Sequence, residues 1–75
     1  MAEGDLQKIL GENLRAWRTE RGLSQEEFAE LLGYHRTYVG GLERGERNVS
    51  LRSLERILAV LSLEVGESLR RQTSP

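Results

Sequence analysis

The sequence predicts an all-α domain of five short helices. Three observations carry this. Apolar residues recur at three- and four-residue spacings along nearly the whole chain, which is the period of an amphipathic helix. No stretch alternates apolar and polar residues over a strand length. Ser24, His35 and Ser50 each stand just ahead of an apolar-periodic run, where a helix cap belongs. The 75 residues make a single domain, 1–75, with a core expected over about 5–71. There is no cysteine and one histidine, so disulfides, cysteine zinc sites and multi-histidine metal sites are excluded. Stability must come from a compact apolar core.

The first helix is expected from about Asp5 to Glu20, where Leu6, Ile9, Leu10, Leu14 and Trp17 share one stripe. Gly22 ends it. The second begins at Ser24 with Glu27 three residues on, a capping box, and Leu23 with Phe28 has the spacing of a hydrophobic staple. Gly33 ends it. The third runs from about Arg36 to Arg44, capped by His35 and stopped by Gly45, with Val39 and Leu42 pointing inward. The fourth follows the Ser50 cap and carries Leu51, Leu54, Ile57, Leu58 and Leu61 as its inward stripe. A short fifth helix is expected from Gly66 to Arg71, with Leu69 inward.

The most informative segment is the second helix, the turn "GYH", and the third helix. So short a turn forces a direct corner. Ala29 is small where the two helices meet, and Gly33 supplies the positive φ that the corner needs. Val39 and Leu42 hold the third helix onto the core. This succession of residue types is the helix-turn-helix pattern.

Net charge is −1, from 11 basic and 12 acidic residues. The sum hides a gradient. Residues 1–30 hold the acids Glu3, Asp5, Glu12, Glu20, Glu26, Glu27 and Glu30 against Lys8, Arg15, Arg18 and Arg21. Residues 33–56 hold Arg36, Arg44, Arg47, Arg52 and Arg56 against Glu43, Glu46 and Glu55. A nucleic acid responds to the local field, so the basic segment matters more than the total. No apolar run approaches the ~20 residues of a membrane span, and the acidic N-terminus has no signal-peptide pattern. A cytoplasmic protein without membrane partners is expected. No nucleophile–histidine–acid set and no phosphate-binding glycine loop exists, so neither enzyme activity nor a cofactor is expected. The cap and solvated face of the second helix account for Glu26, Glu27 and Glu30. Trp17 belongs to the apolar stripe rather than to a base-stacking surface.

The segment "NLRAWRTERGLSQEEFAELLGYHRTYVGGLERGERNVSLRSLERIL" resembles the Xre/Cro–repressor helix-turn-helix family of prokaryotes and phages. Within it, "HRTYVGGLERGERNVSL" is most similar to controller proteins of restriction–modification systems. The resemblance covers about residues 10–69. It implies a lambda-repressor-like fold whose third helix enters the DNA major groove. It implies a phosphate contact by Gln25 and a structural ion pair between Arg18 and Glu43. His35 and the pair Gly40–Gly41 depart from the family's common residues.

With Val39 and Leu42 inward, a rotation of about 100° per residue puts Arg36, Thr37, Gly40, Gly41 and Arg44 on the outer face. Arg36, Thr37 and Arg44, with the cap residue His35, are the candidate base contacts. An arginine fork matches O6 and N7 of guanine, and threonine offers a hydroxyl and a methyl. Ser24, Gln25, Tyr38, Arg47, Asn48 and Arg52 are candidates for the DNA backbone, Tyr38 being equally suited to packing. Gly40 and Gly41 weaken the helix by about 0.5–1 kcal/mol each. Their missing side chains are expected to let the backbone approach the groove. A two-fold dimer is expected through the end of the fourth helix and the fifth, using Val60, Leu63, Val65 and Leu69. The expected partners are double-stranded DNA, a second copy of the chain and RNA polymerase, which the bound protein would exclude or contact. An antitoxin-type or phage-type repressor and a helical protein-interaction module are the alternatives.

Overall fold

A computed structural model describes the backbone of residues 4–73 and the side chains of residues 4–62. Its four helices are α1 (Asp5–Glu20), α2 (Gln25–Leu32), α3 (Arg36–Glu43) and α4 (Leu51–Thr73). No strand occurs among the described residues. The expected fifth helix is continuous with α4. Between Leu61 and Gly66 there is no proline, and a lone glycine weakens a helix by only about 1 kcal/mol without breaking it.

The helix ends follow local chemistry. At α2, the Ser24 Oγ accepts from the Glu27 backbone N–H at 3.0 Å, and the Glu27 carboxylate accepts from the Ser24 N–H at 2.8 Å. His35 caps α3: its Nδ1 accepts from the Thr37 N–H at 3.1 Å. The Ser50 Oγ accepts from the Ser53 N–H at 3.0 Å and caps α4. At their C-termini α1, α2 and α3 close alike. The N–H beyond the glycine reaches back five residues, from Leu23 to Arg18, Tyr34 to Ala29 and Glu46 to Gly41. At the α2–α3 corner this closure rests on Gly33, whose φ of 77° is left-handed and strained for other residues.

Leu14, Phe28, Ala29, Leu32, Val39, Leu42 and Ile57 form the buried core. All four helices contribute to it, and α3 packs against both α1 and α2. Trp17 packs at its edge, stacked 5.5 Å from the Phe28 ring with 27° between the ring planes. The Arg21 guanidinium covers the outer face of the indole at 3.9 Å.

Two inward stripes are corrected. Leu6 and Ile9 on α1, and Leu51 and Leu58 on α4, are exposed, Leu51 at 84%. Leu58 stands beside fully buried Ile57, and the rotation of about 100° between neighbours carries it off the buried stripe. For Leu6, Ile9 and Leu51 the cause is length. At 1.5 Å per residue the eight-residue helices α2 and α3 reach only about 12 Å. The longer α1 and α4 overrun them. Val60, placed by its spacing beyond the α4 stripe, is half-buried against the core together with Leu61.

Candidate nucleic-acid interface

α3 is fixed from behind and open in front. On its inner side Arg18 and Glu43 form a two-pronged pair, with Nε to Oε2 at 2.7 Å and Nη2 to Oε1 at 3.0 Å. The Arg18 Nη1 also donates to the Leu23 carbonyl at 2.9 Å, and the Gln25 Nε2 donates to the Glu43 Oε1 at 3.1 Å. This network ties α1, the α1–α2 turn, α2 and α3 together at one carboxylate. Glu43 is buried, and its hydrogen bond raises the Arg18 guanidinium above its ordinary pKa. Paired charges joined by several hydrogen bonds are the form in which burial of a charge is tolerated. Gln25 is thus engaged within the fold, with one amide hydrogen remaining for a phosphate.

The spacing of apolar residues does not reveal why α1 lies so close to the end of α3. A Cβ on Gly11 would run into the Leu42 carbonyl oxygen and lie 2.7 Å from the Glu43 oxygen. The two helices touch backbone to backbone there. The one available signal was a glycine inside an amphipathic helix, without a capping role, three residues before Leu14.

The outer face begins at the first turn of α3. His35, Arg36 and Thr37 are exposed there, with Ser24 exposed at the head of α2. The His35 imidazole is held by its cap bond through Nδ1, which leaves Nε2 facing away from that bond. At the far end of α3, Arg44, Arg47 and Asn48 are exposed, and Arg52 follows on α4. Arg44 meets Glu46 at 3.0 Å, a surface pair of the kind worth at most about 1 kcal/mol. Asn48 accepts from Gln7 of α1 at 3.1 Å. Among the described residues Arg36, Arg47 and Arg52 form no ion pair.

Gly40 and Gly41 lie on this face, as the helical rotation requires, but they are buried. The expectation of bare backbone is corrected. A Cβ on Gly41 would stand 2.8 Å from the Arg47 Cγ and Nε, and one on Gly40 would stand 3.2 Å from the Arg44 Nη1. Long side chains returning from the turn after α3 fill the space. Tyr38 is half-buried inside a ladder: Arg47 lies 5.8 Å from its ring, the Tyr34 ring 4.9 Å away, and Arg56 5.3 Å from Tyr34. Cations over aromatic faces are attracted by the ring quadrupole. Arg56, read only as one more basic residue, anchors this ladder on α4. Leu63, Val65 and Leu69 lie outside the residues whose side chains are described.

No group of metal-binding side chains and no helix long and apolar enough to cross a membrane is found among the described residues.

The helix-turn-helix family model matches residues 14–68. The control protein C.SmaI of Serratia marcescens is 47% identical over 68 residues, covering 91% of this chain and 81% of that protein. The control protein C.MunI of a Mycoplasma species is 42% identical, covering 84% and 86%. Among solved structures, the restriction–modification controller protein C.AhdI of Aeromonas hydrophila superposes with a TM-score of 0.71 at 44% identity, over 83% of this chain and 90% of that one. With its corner, its open α3 face and these relatives together, the chain belongs to the Xre-type helix-turn-helix family of DNA-binding transcription regulators and is similar to restriction–modification controller proteins.

Proposed function

We propose that this protein is a homodimeric, sequence-specific regulator of the restriction–modification controller type, acting in the cytoplasm on a pseudo-palindromic operator. The observation that carries the proposal is the first turn of α3. It presents exposed Arg36 and Thr37 on a helix locked from behind by Arg18, Glu43 and Gln25. N-terminal residues of a recognition helix reach base edges in the major groove. Arg36, Thr37, Arg44 and His35 are the base-reading set. Ser24, Gln25, Tyr38, Arg47, Asn48 and Arg52 flank them and suit the sugar–phosphate backbone. Gly40 and Gly41, covered by arginine side chains, belong to this backbone-facing surface through those side chains.

A second copy of the chain would set two such helices about 34 Å apart. The exposed leucines and isoleucine of α1 and α4 support association, since a partner removes such surface from water. Bound near a promoter, the dimer would exclude RNA polymerase or contact it.

The test is selection of bound sequences from a randomised duplex pool, followed by titration at two salt concentrations and sedimentation of the free protein. A two-fold-symmetric consensus is expected, with affinity falling steeply as salt rises. Absence of saturable binding would leave a protein-interaction module as the better reading. Monomer alone at tens of micromolar would remove the dimer.

A further inference from the structure

We infer that Gly41 is a positioning residue for Arg47: its missing side chain makes a seat on α3 that holds the arginine stem ready for the DNA backbone. The inference rests on the DNA-binding reading above and adds a residue to it.

Atoms along the middle of the Arg47 side chain occupy the place of the absent Cβ. Cγ and Nε would each lie 2.8 Å from a Cβ at position 41, and Cδ would lie 3.3 Å away. A Cβ does not approach other atoms so closely, so any larger residue lifts the whole stem. By contrast, at Gly40 the near atom is the tip of Arg44, at 3.2 Å, which can swing aside. The seat has walls. The Glu46 N–H donates to the Gly41 carbonyl at 2.9 Å, which brings the residue before Arg47 back over α3. Tyr38, one helical turn before Gly41, stands beside the guanidinium at 5.8 Å and is itself braced by Tyr34. Arg47 remains exposed and forms no ion pair among the described residues. A cation held in one arrangement before binding loses less freedom when it meets a phosphate. That benefit accounts for keeping a glycine where alanine would make a better helix.

The experiment is a double-mutant cycle of Gly41→Ala and Arg47→Ala. Affinity is measured for a short duplex selected from a randomised pool and for a scrambled duplex of equal length. Gly41→Ala is expected to weaken binding to both duplexes by about two- to tenfold, without lowering the thermal midpoint. In the Arg47→Ala background the same substitution should change nothing. An equal loss in both backgrounds overturns the inference, because Gly41 would then meet DNA on its own account. No loss in either background overturns it too. In the free proteins, the Arg47 side-chain protons should feel the Tyr38 ring current, and Gly41→Ala should abolish that shift. A shift surviving in Gly41→Ala overturns the seat while leaving the DNA reading intact. Failure of the wild-type protein to bind either duplex overturns the DNA reading itself.

Discussion

The two sides of α3 are built on opposite terms. Its inner side meets α1 through backbone contact at Gly11 and through a buried carboxylate that gathers hydrogen bonds from three nitrogens. Nothing there can move without leaving a charge unpaired. Its outer side carries long cations, one in a weak surface pair and one lying on a glycine. Those contacts are at the surface and can be given up at little loss. The contrast teaches how a chain this small keeps a recognition helix rigid while its side chains stay available. Rigidity is concentrated behind the helix, where charge and backbone are desolvated. The front is left to charge and water.

The largest effect should come from breaking the inner side. Glu43→Ala strands Arg18 and Gln25 in a poorly hydrated site, and removal of one partner of a buried pair costs about 3–5 kcal/mol. Urea unfolding of the variant should show that loss. A drop below about 1 kcal/mol would mean that the pair is solvated and that α3 is held by packing alone. Gly11→Ala comes next. The methyl must push against the carbonyls of Leu42 and Glu43, and overpacking of this kind costs about 1–3 kcal/mol, less the gain in helix propensity. Ordinary exposed helix glycines respond with the opposite sign, being stabilised by alanine. A stabilised Gly11→Ala would remove the close approach of α1 and α3.

An outer-side substitution should invert the pattern. Arg36→Ala touches no core contact, so stability should stay within about 0.5 kcal/mol. Affinity for a selected duplex should fall by about 1–3 kcal/mol, with relaxed preference at one base position. A uniform loss across all sequences would reassign Arg36 to the phosphates.

The same contrast explains what could be read from the residues beforehand. The α2 boundaries follow from Ser24, Glu27 and Gly33, because a capping box and a left-handed glycine act within a few residues. The inward direction of Val39 and Leu42 follows from helical period. Gly11 resisted such reasoning because the atoms it must avoid belong to α3, over thirty residues away. The cover over Gly41 depends on a turn that returns Arg47 across the helix. Rotation about an axis shows which way a residue faces, but not what lies over it. Leu51 was misjudged since its burial depends on how far the neighbouring helices extend, and Leu58 since one step of rotation from Ile57 carries it off the buried stripe. The open face was legible in its residues, and its seating was not.

The smallest effect tests the head of α2, where the inner and outer sides meet. The Ser24 backbone N–H and hydroxyl hold the Glu27 carboxyl below its ordinary pKa. The carboxylate therefore stabilises the fold fully above the ordinary value. That contribution is lost as pH falls through the depressed one. Glu27→Gln keeps an oxygen to accept from Ser24 but carries no charge for the helix dipole. At neutral pH the wild-type protein should melt slightly above the variant. The gap should shrink as pH falls past the carboxylate range, since protonated Glu27 resembles glutamine. A gap unchanged across that range would show that the α2 cap works by geometry alone. The charge at the N-terminal end of α2 would then be free to change without loss to the fold.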